Sequence, residues 1–284
     1  SRKATGRPPK LEDEQVAALR QTIIDKQPCD VGLDVQLWTL AIIRQHVERA
    51  FGVALHASSI SRLLAKLGVT PQRPARSAVE RDEAECRRWA TEEFPKIVRE
   101  VKRKQATILF EDETGLREDT PLATTWGERG RRPVVRTPGT RRRINVISAV
   151  SPHGRLWFRC YKGNLNAALF IAFLTALLRD LRGQIVLILD KHPAHVAAST
   201  KAFIAERSNR LSVHFLPGYA PDMNPDEHVW GYLKQLFRRE PLGPQEDIHI
   251  AVAETMCNIQ SQRDLVRTFF LHPETAYVRA ALKW

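Results

Sequence analysis

Ile185-Val186-Leu187-Ile188-Leu189-Asp190 is an unbroken apolar run closed by an acid. A strand with one wet face alternates apolar and polar residues, whereas a strand covered on both faces is apolar throughout. The run therefore predicts an internal strand of a sheet flanked by helices. Its surroundings agree. Ala167 to Leu181 reads as an apolar helix, Val196 to Arg207 as a second helix, and Leu211 to Leu216 as another strand. Further upstream, Thr107-Ile108-Leu109-Phe110 reads as a buried strand that runs directly into Glu111-Asp112-Glu113. Ile144 to Val150 and Leu156 to Tyr161 flank the turn Ser151-Pro152-His153-Gly154 as a hairpin. After Pro217-Gly218-Tyr219-Ala220-Pro221, a helix is expected from about Asn224-Pro225 to Arg238, with proline suited to its first turn. Strands first, then strands alternating with helices, indicate an α/β domain with a mixed sheet.

The composition fits such a domain and excludes other classes. In 284 residues, 43% are hydrophobic and 27% charged, which rules out disorder over the whole length. The longest apolar stretch, Ala167 to Leu178, is well short of the roughly 20 residues that span a bilayer. The first residues lack the apolar core of a signal peptide, so the expected location is cytoplasmic. Cys29, Cys86, Cys160 and Cys257 are too scattered for a Cys-x-x-Cys metal or redox motif and read as reduced thiols. Lys and Arg number 44 against 32 Asp and Glu, for a net charge of +12. Such a surface favours polyanions, of which nucleic acid is the obvious one.

The N-terminal part supports that partner. Arg2, Lys3, Arg7 and Lys10 surround Gly6-Arg7-Pro8-Pro9 in a basic arm, residues 1–10, able to lie in a narrow minor groove. Residues 11–70 carry three helical patterns: Leu11–Lys26, Gln36 to Ala50 ending at Phe51-Gly52, and a third capped by Ser58 or Ser59 and ending at Gly68. The last two suit a helix-turn-helix. Its second helix would enter the major groove with Ser58, Ser59, Ser61, Arg62 and Lys66 on its polar side. Residues 71–104 read as a proline-rich linker and then one long charged helix from Ser77 to about Gln105, interrupted near Pro95 and mostly solvated.

The acids at the strand ends carry the chemistry. Asp112 and Asp190 each follow a strand that reads as internal, and neighbouring strands lie roughly 4.8 Å apart. Two carboxylates so placed repel, and a divalent cation relieves the repulsion. Glu227, in the first turn of the helix after the proline-rich loop, can add a third oxygen. Hard oxygen donors without cysteine suit Mg²⁺ or Mn²⁺. His192 and His195 read as loop-holding or capping residues rather than metal ligands, Asp222 and Asp226 as turn and first-turn residues, with Asp226 a decoy for Glu227, and Trp230 and Leu233 as core. The stretch Arg117 to Arg143 holds eight Arg and three acids. Its triplet Arg141-Arg142-Arg143 reads as a contact to the DNA backbone or to a partner.

Phe110-Glu111-Asp112-Glu113-Thr114, Leu189-Asp190-Lys191-His192-Pro193-Ala194-His195 and the run from Leu216 through Pro221-Asp222-Met223-Asn224-Pro225-Asp226-Glu227 to Trp230 resemble the three signature blocks of mariner-type transposases. The bacterial insertion-sequence relatives are the most similar. The order and spacing agree, with 77 residues between Asp112 and Asp190 and 36 between Asp190 and Glu227. The resemblance implies a ribonuclease H-like catalytic domain, residues 105–240, followed by a helical extension, residues 241–284. It also implies that Asp112, Asp190 and Glu227 bind two divalent metals, that the double-stranded DNA partners are the terminal inverted repeats of an element and its target, and that the chain is a homodimer associated with a bacterial nucleoid. Two departures stand out. Family members usually carry two helix-turn-helix modules with the Gly-Arg-Pro arm between them, whereas here the arm comes first. Lys191 replaces a frequent Asn. A nuclease that does not join strands and a non-catalytic regulator descended from a transposase are the alternatives; the three intact acids favour catalysis.

Overall fold

The computed structural model describes residues 10–72, 74, 78–138 and 141–282, which fall into two compact units dividing at positions 76 and 77. Arg2, Lys3 and Arg7 of the arm lie outside the described residues.

The first unit holds α1 (Asp13–Asp25), α2 (Leu40–Phe51) and α3 (Ala57–Lys66) around Leu11, Leu19, Ile43, Val47, Ile60 and Leu64. α2 starts later than its periodicity suggests because the Thr39 side chain accepts the Ile42 N–H and fixes the start there. It ends as expected at Gly52, whose φ of 67° is a left-handed cap. The expected serine cap of α3 is corrected: the N-cap is His56, whose ring accepts the Ser58 N–H at 3.3 Å, two residues ahead of Ser58.

In the second unit the charged connector becomes α4 (Glu83–Arg88), a wide turn Trp89–Glu93 and α5 (Phe94–Lys104). Pro95 does not interrupt it. The backbone widens just before the proline, with the Phe94 N–H reaching Trp89 O, which relieves the clash of the ring with the preceding turn. Nor is the connector mostly solvated. Cys86, Trp89, Phe94, Ile97, Val98 and Val101 are buried in the main core. Phe94, Ile97, Val98 and Val101 stand at helical spacing and form an apolar stripe that the intervening charges conceal in the sequence.

A five-stranded sheet follows, formed by β1 (Thr107–Arg117), β2 (Arg143–Ser151), β3 (Arg155–Tyr161), β4 (Ile185–Leu189) and β5 (Leu211–Phe215). Its order is β3-β2-β1-β4-β5, antiparallel from β3 to β1 and parallel from β1 to β5. All five residues of β4 are buried. α6 (Ala167–Asp180), the short α7 (Pro193–Val196) and α8 (Ala198–Glu206) follow in the crossovers, and α6 closes one core with Leu109, Leu187 and Leu189. The second helix expected from Val196 is thus two helices parted at Ala197. On the other face, α5 is joined by α9 (Asp226–Arg239), α10 (Ile248–Ser261), α11 (Arg263–Thr268) and α12 (Ala276–Leu282). The described residues contain no helix long and apolar enough to cross a membrane.

α5 and β5 are tied by Glu100, which meets His214 Nε2 at 2.9 Å and Lys104. Burial would raise the Glu100 pKa, but hydrogen bonds from Lys104, Ser212 and His214 outweigh it and hold the carboxyl at about 2. A depressed acid stabilises the fold above its unfolded pKa and loses that contribution as pH falls toward the folded value. Glu100→Gln is therefore expected to remove up to ~3 kcal/mol near neutral pH and to flatten the stability loss between about pH 4.5 and 2. Denaturant melts of both proteins across that range measure it; parallel pH profiles would contradict it.

Candidate active site

β1 and β4 pair in parallel with Phe110 opposite Ile188. The same offset carries Asp112 onto Asp190, so both acids stand at one level: Asp190 just past the end of β4, and Asp112 not after its strand, as expected, but midway along β1, beyond its last pair with β4. Glu227 is the second residue of α9, which packs over β1. The loop before α9 is pinned from several sides. Asn224 donates to Glu111 O at 2.8 Å and accepts the Asp226 N–H at 3.1 Å, and its own carbonyl accepts the Glu227 N–H at 3.1 Å. Tyr277 donates to Met223 O at 2.7 Å, and Arg81 forks onto both oxygens of Asp222. Asp226 is fully buried and takes the Ser148 hydroxyl at 2.7 Å, which leaves Glu227, turned about 100° around the helix, half-buried at the strand ends.

The three acids feel one another. Burial, then the charge of Glu227, pushes Asp112 well above the usual carboxylate range. Burial raises Glu227, Lys234 draws it back and Asp190 raises it again. Asp190 behaves differently: burial would raise it, but the His195 side chain and the His192 N–H, both bonded to Oδ1, hold it below its ordinary value. Trp230, at the heart of the core, donates its indole N–H to Asp112 Oδ2 at 3.1 Å. Asp112 and Asp190 each use a single oxygen in these contacts.

The structure thus brings Asp112, Asp190 and Glu227 together. His192 caps α7 and His195 holds Asp190, in keeping with the loop-holding roles expected of them. Trp230 and Leu233 are core, as expected, but the indole contact with Asp112 was not legible in the sequence. Ser148, Asn224 and the buried Glu111 were missed as well. A buried polar side chain leaves no periodic signal, although Asn224 two positions ahead of Asp226 is a recognisable cap-like spacing.

Among the expected DNA-contacting residues, Ser58, Ser61, Arg62 and Lys66 are exposed and Ser59 is half-buried. Arg62 donates to Ser58 O at 3.2 Å, and Lys10 donates to Ala54 O at 3.1 Å. The arginine triplet splits. All three are exposed, Arg141 reaching Asp119 only at 4.0 Å and Arg143 lying across Gly115 with its Nε on Asn145. Arg142 turns inward to the buried Glu118 at 2.7 Å and to Asp247 at 3.1 Å. Two acids match its charge at closer range, which separates it from the other two.

The donor set suits a hard divalent cation: three carboxylates converge, and two of them are held above their ordinary range by burial and by mutual repulsion.

Comparison with known proteins gives the same picture. Residues 107–249 match the DDE superfamily endonuclease family, and residues 34–93 match a winged helix-turn-helix. The insertion element IS630 uncharacterized 39 kDa protein of Shigella sonnei is 25% identical over 238 residues, covering 82% of this chain and 68% of that protein. Among solved structures, the Mos1 transposase paired-end complex with left transposon end superposes with a TM-score of 0.65 at 16% identity, over 100% of this chain and 81% of that one. The Mos1 mariner paired-end complex with Mn gives 0.64 at 18%, with the same coverage. These structures share the fold, a helix-turn-helix ahead of a ribonuclease H-like domain. With its family match spanning half its length and its three acidic blocks in order, the chain belongs to the DDE superfamily endonucleases and is of the mariner/IS630 type.

Proposed function

We propose that the chain is a DNA transposase that cleaves at the ends of its mobile element and joins the freed 3′-hydroxyl to target DNA. The convergence of Asp112 on β1, Asp190 just after the neighbouring parallel strand β4 and Glu227 in the first turn of α9 supports this reading most directly. Asp112, Asp190 and Glu227 would hold the ions. A divalent pair, Mg²⁺ or Mn²⁺, supplies the charge that neutralises the scissile phosphate and activates water or the 3′-hydroxyl for in-line displacement. The protein's own part is positional. Trp230 and His195 each hold one oxygen of an acid, and buried Asp226 anchors α9 so that Glu227 faces the strand ends. Holding reactants in place in this way removes entropy from the barrier before reaction begins.

In this reading residues 1–10 and 11–70 bind the element end through Arg2, Lys3, Arg7, Lys10, Ser58, Ser59, Ser61, Arg62 and Lys66, and residues 71–104 connect them to the catalytic domain, 105–240, and its extension, 241–284. The active form is a homodimer on two DNA ends, in the cytoplasm of a bacterium and on its nucleoid. A pre-cleaved element end offered with target DNA and Mn²⁺ tests the joining step. Joined product supports a transposase, and cleavage without joining reduces the reading to a nuclease.

Arg141 and Arg143 are expected to meet phosphates. Replacing both by Gln should lower the slope of log affinity against log salt by about 1–2, since each phosphate contact contributes ~0.9. Arg142→Gln should leave that slope unchanged and lower stability instead, because it leaves Glu118 buried with less compensation. Salt titrations of DNA binding separate the two effects.

A further inference from the structure

Glu111 and Glu113 alternate with Asp112 along β1, so their side chains leave the opposite face of the sheet, where α6 and α7 pack. There both carboxylate oxygens of Glu111, Oε2 of Glu113 and Nε2 of His195 are buried without a hydrogen-bond partner. The Glu111 and His195 side chains are 0% and 1% exposed. The unsatisfied atoms face one another. His195 Nε2 lies 3.6 Å from Glu111 Oε1. One ligating atom from each of Glu111, Glu113 and His195 lies within 4.8 Å of the other two. Buried carboxylates left unpaired are strongly unfavourable, and two of them on one strand face compound the penalty.

The histidine is presented as a ligand. Its Nδ1 lies 2.9 Å from Asp190 Oδ1, and because an ionised carboxylate only accepts, Nδ1 carries the proton there, which leaves Nε2 as the nitrogen placed to bind a cation. Metal-bound histidines are commonly oriented by a carboxylate on their other nitrogen in this way. The ring is fixed against Phe170, with centroids 4.4 Å apart.

We propose that Glu111, Glu113 and His195 form a further divalent-cation site, behind the catalytic acids and on the other face of β1. A nitrogen donor beside two carboxylates favours a transition-series ion such as Mn²⁺ over Mg²⁺. Glu113, with a side chain 20% exposed, and His192, whose Nε2 lies 3.9 Å from Glu113 Oε1, mark the way in. A cation here ties β1 to α7, and through His195 it fixes the orientation of Asp190.

The site does not depend on DNA cleavage, and its test leaves the catalytic acids out. The full chain carrying Asp112→Asn and Glu227→Gln is titrated with Mn²⁺ while the free ion is followed by electron paramagnetic resonance. The variant is expected to retain one Mn²⁺ that Mg²⁺ displaces poorly. Adding Glu111→Gln should weaken that binding at least tenfold. Glu113→Gln, at a less buried position, should do the same without disturbing the core, and thermal melts without Mn²⁺ verify folding of each variant. Absence of bound Mn²⁺ in the Asp112→Asn, Glu227→Gln chain overturns the site, as does binding that neither glutamate substitution alters. Either failure leaves cleavage by the unsubstituted chain untouched.

Discussion

Asp112→Ala and Glu227→Ala are each expected to lower DNA cleavage by about 10³-fold or more while leaving DNA binding within a few-fold of normal. Charge stabilisation by a bound cation is worth several kcal/mol in the transition state, and each ~1.4 kcal/mol is a factor of ten in rate. The two residues reach the site from different elements, β1 and α9, and neither belongs to the helix-turn-helix unit. Both substitutions also remove like-charge repulsion, since burial and then Glu227 hold Asp112 above its ordinary range. Melting temperatures without metal are therefore expected to stay level or rise for Glu227→Ala and to change little for Asp112→Ala, where the relief is offset by the acceptor lost to the Trp230 indole. Loss of activity with intact or improved stability is the signature of a functional acid; normal cleavage by either variant would remove the assignment. Asp226→Ala provides the contrast. It strips the Ser148 hydroxyl of a buried partner, so its main effect should be on stability.

Trp230→Ala is expected to lower stability by about 3–5 kcal/mol, as large-to-small changes at buried aromatic positions do. Trp230 is 1% exposed in the core beneath α9, beside Val229 and Leu233. Trp230→Phe keeps much of that packing and deletes the N–H that reaches Asp112 Oδ2. A hydrogen bond to a charged group contributes about 1.5–3 kcal/mol, so cleavage should fall about tenfold or more while the fold largely survives. Denaturant unfolding and single-turnover cleavage, measured on both variants, distinguish a packing role from a positioning one. Equal activity of Trp230→Phe and the unsubstituted chain would reduce the indole to packing alone.

The sheet was legible because its central strands are apolar on both faces: Ile185 to Leu189 could be little else, and the turn at Ser151–Gly154 marked its hairpin. Asp112 and Asp190 could be singled out because acids at the ends of such strands need a reason. The signature blocks, rather than spacing alone, picked Glu227 over Asp226, and burial of Asp226 against Ser148 gives the physical ground for that choice. The connector misled because abundant Arg and Glu around Phe94, Ile97, Val98 and Val101 looked like a solvated helix, when one stripe suffices to bury it. The cap of α3 was misread because His56 accepts through a ring nitrogen, a role that serine usually takes. Contacts across long sequence separation, such as Trp230 with Asp112 and His195 with Glu111, arise only when the topology folds the elements onto each other.

The central claim is that three acids distant in sequence share divalent ions. Anomalous scattering from crystals of the full chain grown with Mn²⁺ tests it most directly. Two peaks are expected, both bound by carboxylates of Asp112, Asp190 and Glu227. Peaks that touch none of these carboxylates, or a Glu227 turned away from both aspartates with Mn²⁺ present, would contradict it.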